Sequence, residues 1–108
     1  MIETTDAAVL RSETRWDTGS AARYMAQLCK HFSHKLPVTL NERDGQIVFG
    51  AGVCDVMAEE TGLRMRASAE DEAGIQQVQS VVIRHLQRFA FREMTEEAAA
   101  AIAWTRVD

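Results

Sequence analysis

Apolar and polar residues alternate along residues 8–16, with Ala8, Leu10, Ser12, Thr14 and Trp16 on one side and Arg11, Glu13 and Arg15 on the other. A period of two is that of a half-buried strand. The period then lengthens. Ala21, Met25, Leu28 and Phe32 fall at i, i+4, i+7 and i+11, widened by Tyr24 and Cys29, which predicts a helix over residues 20–35. Asp17, Thr18 and Ser20 offer side-chain oxygens for its first amides, and Pro37 stands beyond its end.

Residues 38–41 read as a short strand, and Asp44-Gly45 as the turn that follows it. From Gln46 the apolar positions are Ile47, Phe49, Ala51 and Val53, then shift phase to Cys54, Val56 and Ala58. Two arrangements explain the shift. One is a single strand over 46–58 with a bulge beside Gly50 and Gly52; the other is a turn there. The lack of polar turn residues favours the bulge. Three strands between the helices then tend to leave them parallel, whereas a turn makes four and tends to leave them antiparallel. Leu63, Met65 and Ala67 alternate with Arg64, Arg66 and Ser68 in a further strand. Ile75, Val78, Val82, Leu86 and Phe89 stripe a second helix over 71–92, with Glu70, Asp71 and Glu72 at its positive end. The alanine-rich tail suits either more helix at 98–101 or a closing strand at 101–107. The sum is an α+β fold: an antiparallel sheet of four to five strands with two helices packed on one face, in one domain over residues 1–108.

Composition narrows the class. The chain has 108 residues, 46% hydrophobic and 26% charged, with one proline and six glycines, as in ordinary globular proteins. No apolar run suits a membrane span, and the polar, acidic residues 1–6 are not a secretory signal. Two cysteines, Cys29 and Cys54, read as small core residues in a reducing cytoplasm. Met25, Met57 and Met65 read as core fillers. The net charge of −4 disfavours general nucleic-acid binding.

The charge is segregated. Residues 19–40 hold Arg23, Lys30 and Lys35 and residues 78–92 hold Arg84, Arg88 and Arg92, with no acid in either stretch, while residues 41–72 hold eight acids against three arginines. A solvated helix face accounts for this. So does a site for an anionic small molecule or an acidic protein partner. His31 and His34 stand at i, i+3 on the first helix and His85 on the second, at the flanks of the apolar stripes. His31, His34, Lys35, His85, Arg88 and Arg92 are therefore the candidate ligand-binding residues.

Parallel helices would place His31 and His85 at the same end of the domain but point both rings the same way; antiparallel helices could turn the two flanks toward each other but would tend to separate the two ends. The expectation is no preformed three-histidine metal site, with the histidines acting in ligand contact or proton exchange. No catalytic constellation, nucleotide loop or cofactor motif is present, and nothing specifies an oligomeric state.

Two stretches, residues 24–35 and 85–93, together with the strand from Ile47 to Ala58, resemble a bacterial family known as domain of unknown function 2218. The resemblance spans residues 8–93. It implies no established activity; the genomic company of some members implies an accessory role in iron or siderophore handling. The family usually closes with a strand directly after the Phe-Arg-Glu run, where this chain has residues 94–101. The leading expectation is a small cytoplasmic binding or accessory protein without catalysis, and the alternative a metal- or haem-binding protein using the helix histidines.

Overall fold

The computed structural model describes residues 9–107. Ala8 and the acidic residues 1–6 lie outside the described residues. Along the chain run β1 (Leu10–Asp17), α1 (Ala21–Phe32), β2 (Val38–Leu40), β3 (Asp44–Val48), β4 (Val53–Glu59), β5 (Gly62–Ala69), α2 (Glu72–Phe89), α3 (Glu96–Ala101) and β6 (Thr105–Val107). The sheet is antiparallel with order β2-β3-β4-β5-β1-β6. The class is α+β as expected, with six strands and three helices among the described residues rather than four to five and two.

The alternation of each strand decides which face it buries. Ser12, Thr14 and Trp16 of β1, Cys54, Val56 and Ala58 of β4, and Leu63, Met65 and Ala67 of β5 all turn inward. The helix stripes meet them: Met25, Leu28 and Cys29 from α1, and Ile75, Val78, Val82 and Leu86 from α2, are all buried. Phe32 and Phe89, expected with them, are half-buried at the rim. Met25 and Met65 fill the core, but Met57 faces out from β4 at 49% exposure, because its position is odd where the buried ones are even.

The two inward hydroxyls of β1 are satisfied. Gln79 Nε2 of α2 donates to Ser12 Oγ at 2.6 Å, and Thr14 Oγ1 donates to the Ala103 carbonyl at 2.9 Å. The second bond anchors the tail, which takes both expected forms: α3 first, then β6 along β1. Thr95 caps α3 by accepting from the Ala98 amide.

Two turns differ from the sequence reading. Residues 46–58 are not one bulged strand. Phe49 and Gly52 exchange backbone hydrogen bonds of 2.7 and 3.3 Å around Gly50-Ala51, closing a hairpin between β3 and β4. The glycine is there for close packing: a Cβ on Gly52 would meet the Ser68 carbonyl oxygen at 2.2 Å. Likewise Asp44-Gly45 is no turn. Both residues belong to β3, Gly45 lets α1 settle on the sheet beside Cys29, and Asn41 closes the turn by donating its amide to the Asp44 carbonyl.

Four strands therefore separate α1 from α2, and the helices run antiparallel. Tyr24, near the start of α1, meets Glu93 just past the end of α2, while His31 near the end of α1 meets His85.

A polar latch holds the first of these meetings. The hydroxyls of Tyr24 and Thr18 each donate to Glu93 at 2.7 Å, one to each carboxylate oxygen. Thr18 also accepts the Ser20 amide, the role the sequence suggested for a capping side chain, while Ser20 itself makes no cap bond. The Tyr24 and Thr18 hydroxyls hold Glu93 below the ordinary carboxylate range. Such a group stabilises the fold fully above its unfolded pKa, and that contribution is lost as pH falls through its folded pKa. Glu93→Ala should cost about 1 kcal/mol at neutral pH for this part-buried pair of charge-assisted bonds to an exposed carboxylate. The gap to wild type should close in acid, as followed by denaturant unfolding at both pH values.

Candidate functional site

The end of the helix pair opposite the latch gathers the sequence-predicted residues. α1 stops at Phe32, where Ser33 turns its hydroxyl back to donate to the Lys30 carbonyl and the Lys35 and Leu36 amides both donate to the Phe32 carbonyl. His34 and Lys35 thus lie in the turn after α1, not on the helix as expected. His31 remains in its last turn, exposed, and packs against His85 across the interhelical groove with ring centroids 5.0 Å apart. Phe32 stands 4.8 Å from the His85 ring and 5.0 Å from Phe49, and Phe89 stands 5.5 Å from His31. This aromatic rim walls the imidazole pair on its core side.

His85 is oriented by its own helix. Its Nδ1 lies 2.8 Å from the Val81 carbonyl. A carbonyl only accepts, so Nδ1 carries a proton, and the tautomer this selects has its lone pair at Nε2. Partial burial lowers the His31 pKa, and the positive fields of His85, Arg88, His34 and Lys35 lower it further. Five of the six candidates therefore share one neighbourhood. Arg92 does not join them. It lies past the end of α2, toward the Tyr24–Glu93 latch, with its guanidinium 5.7 Å from the Phe91 ring.

The histidines meet because the helices are antiparallel, which turns their flanks toward each other; the expected separation of the two ends does not keep His31 from His85. The two contacts lie at staggered heights: Tyr24 with Glu93 and, seven residues along α1, His31 with His85 eight residues back along α2. Among the described residues, no group of three or more His, Cys, Asp or Glu is placed to hold a metal ion. Cys29 and Cys54 are buried free thiols, and burial pushes Cys29 up to about 11 and Cys54 higher still, so neither is a reactive thiolate at neutral pH.

The outer face of the sheet has a different electrostatic character, one that sequence reading missed. Glu59 accepts from Arg15 Nε at 2.7 Å and from Arg64 Nε at 2.8 Å, Glu13 accepts from Arg66 Nε at 2.8 Å, and Asp17 pairs with Arg15. The two arginines hold Glu59 below the ordinary carboxylate range, Arg64 most strongly. Arg106 of β6 is paired too, with Glu72 of α2 at 2.8 Å. A concavity of about 440 Å³ on the outer face is lined by residues including Gln46, Asp55, Met57, Arg64 and Arg66. Its charges are largely neutralised within the sheet. By contrast, among the described residues no acid lies within ion-pair distance of Arg23, Lys30, Lys35, Arg84, Arg88 or Arg92, all six of them exposed.

The arrangement defines a small α+β protein whose helix layer carries six cations with no ion-pair partner among the described residues, over a sheet in which Arg15, Arg64, Arg66 and Arg106 are paired. The chain belongs to the family described as uncharacterized protein conserved in bacteria (DUF2218), which matches residues 13–104. That match carries the resemblance beyond residue 93, through α3. The chain is also similar to PA4090 from Pseudomonas aeruginosa, whose NMR structure shares 38% identity and a TM-score of 0.73, covering 89% of this chain and 95% of that one. No curated protein matches. No helix among the described residues is long and apolar enough to cross a membrane.

Proposed function

We propose that the protein is a non-catalytic binding or accessory module of the cytoplasm, taking an anionic small molecule on its helix layer. One observation carries this reading. The arginines at positions 15, 64, 66 and 106 all have carboxylate partners, whereas among the described residues no acid lies within ion-pair distance of the six helix-layer cations. Surface cations left unpaired in a chain of net charge −4 concentrate a local positive field that an anion can neutralise. His34, Lys35 and Arg88 beside the His31–His85 pair supply hydrogen-bond donors as well as charge. Arg92 extends the positive surface toward the latch. An acidic protein segment would meet the same charges.

Within this reading, the genomic company that the resemblance implies for some members of the family favours a ferric chelate as the ligand, since ferric catecholates are polyanions with aromatic faces. Those faces suit the rim of Phe32, Phe49 and Phe89. The cytoplasm suits two free thiols.

The test is calorimetric titration with inorganic pyrophosphate and with a ferric tris-catecholate, in about 20 mM and about 200 mM salt. Affinity should fall with salt. The triple variant Arg84→Gln, Arg88→Gln, Arg92→Gln should weaken binding roughly tenfold, since each exposed charge contributes about 0.2–1 kcal/mol. Binding indifferent to both treatments contradicts the reading.

A further inference from the structure

We propose that His31 and His85 form a two-imidazole site for a divalent transition-metal ion of the Zn²⁺, Ni²⁺ and Cu²⁺ class, open toward solvent for water or an exogenous anionic ligand. The inference does not rest on the anion reading. It starts from ring geometry. Two imidazoles bound side by side to one ion at ~2.0–2.1 Å, with a roughly tetrahedral angle between them, keep their ring centroids about 5 Å apart. The observed separation is 5.0 Å. Axial ligands on opposite faces of a haem iron stand about 6 Å apart or more, so the pair suits a single exposed ion better than a haem.

The second observation is the orientation of His85. Metal-bound histidines regularly donate their other ring nitrogen to a backbone carbonyl or carboxylate, which fixes the tautomer and aims the lone pair. His85 does this in the free protein: Nδ1 donates to the Val81 carbonyl at 2.8 Å, and Nε2 is the lone-pair nitrogen. The ordering that a metal site requires is therefore already supplied on this side. His31 sits on the facing helix, exposed enough for its ring to turn about its own axis and for water to reach the ion. Phe32 packs against His85 and Phe89 against His31 on the core side of the pair.

The surroundings decide what kind of metal complex fits. Arg88, His34 and Lys35 are the charged or titratable groups felt at His31 besides His85, and all are cationic when protonated. They oppose a bare dication, so the stable species is one whose open positions hold an anion that these cations contact. Imidazole ligands select the later first-row divalent ions over Mg²⁺ and Ca²⁺, which prefer oxygen.

The test uses the full chain with Cu²⁺ and Zn²⁺ as probes. Electron paramagnetic resonance of the Cu²⁺ form should show two nitrogen ligands. His31→Gln and His85→Gln should each weaken Zn²⁺ binding by roughly tenfold or more, the scale lost even when only an orienting group is removed. Both side chains are at least partly exposed, and unfolding curves of the variants establish that they fold. Arg88→Gln separates this proposal from the anion reading: in a buffer free of coordinating anions, removing that charge should strengthen Zn²⁺ binding, while pyrophosphate binding to the metal-free protein weakens. A single-nitrogen spectrum, or Zn²⁺ affinity unchanged in both histidine variants, means adventitious surface binding only and overturns the proposal.

Discussion

Leu86→Ala should lower the free energy of unfolding by about 2–5 kcal/mol, the range for truncating a large core residue. Leu86 is fully buried on α2, one residue from His85, where the helix packs over the sheet. Its removal takes out apolar area and leaves a cavity that the sheet beneath cannot close, because strand spacing is fixed by the hydrogen-bond ladders. The upper part of that range approaches the whole stability of a domain this size, about 5–15 kcal/mol. Urea unfolding measures the loss. A change below about 0.5 kcal/mol, the ordinary effect of a surface substitution, would show that the α2 register is wrong.

Gly52→Ala should also be severe, despite adding one methyl group. The new Cβ would sit 2.2 Å from the Ser68 carbonyl oxygen, 3.0 Å from Ala69 Cβ and 3.1 Å from Val78. The first obstacle is backbone of β5, which cannot swing aside without breaking its ladder with β4 or β1. Relief requires the β3–β4 turn to move away from α2. The cost should be about 1–3 kcal/mol or more, as for overpacked cores. Gly50→Ala is the control, because nothing lies within 4 Å of the place its new methyl group would take, and it should be nearly neutral by comparison in the same unfolding assay. Equal losses in the two variants would contradict the packing account of Gly52.

The same glycine explains what could be read from the chain alone. Both helices, the inward set of β5 and the buried positions of β1 and β4 were legible, because burial imposes periods of 3.6 and 2 that survive in a single sequence. The β3–β4 hairpin was not. Gly50-Ala51-Gly52 lacks the polar residues that mark most turns, since Gly52 answers to the Ser68 carbonyl across the sheet rather than to the turn. The phase shift between Val53 and Cys54 records the new strand, and a bulge produces the same signal. Reading it as a bulge removed one strand and with it the antiparallel order of the helices. The His31–His85 meeting was missed under either helix order, because antiparallel helices were expected to separate the two ends.

Long-range polar partners left no trace in the sequence either. Glu93 meets Tyr24 and Thr18 across 69 and 75 residues, and Arg15 meets Glu59 across 44. Nothing local in those residues distinguishes a paired charge from a free one. The charge segregation was visible in residues 19–40 and 78–92; that the helix-layer cations have no ion-pair partner among the described residues while four arginines of the sheet do needed the fold.

The central claim is that the helix layer is where an anion binds. Backbone amide chemical shifts followed during titration with inorganic pyrophosphate at low salt test it directly. The account predicts that the shifted amides cluster in residues 30–35 and 84–92, around His31 and His85. Shifts confined to the outer face of the sheet, at Gln46, Asp55, Arg64 and Arg66, or no saturable shifts at all, would contradict it.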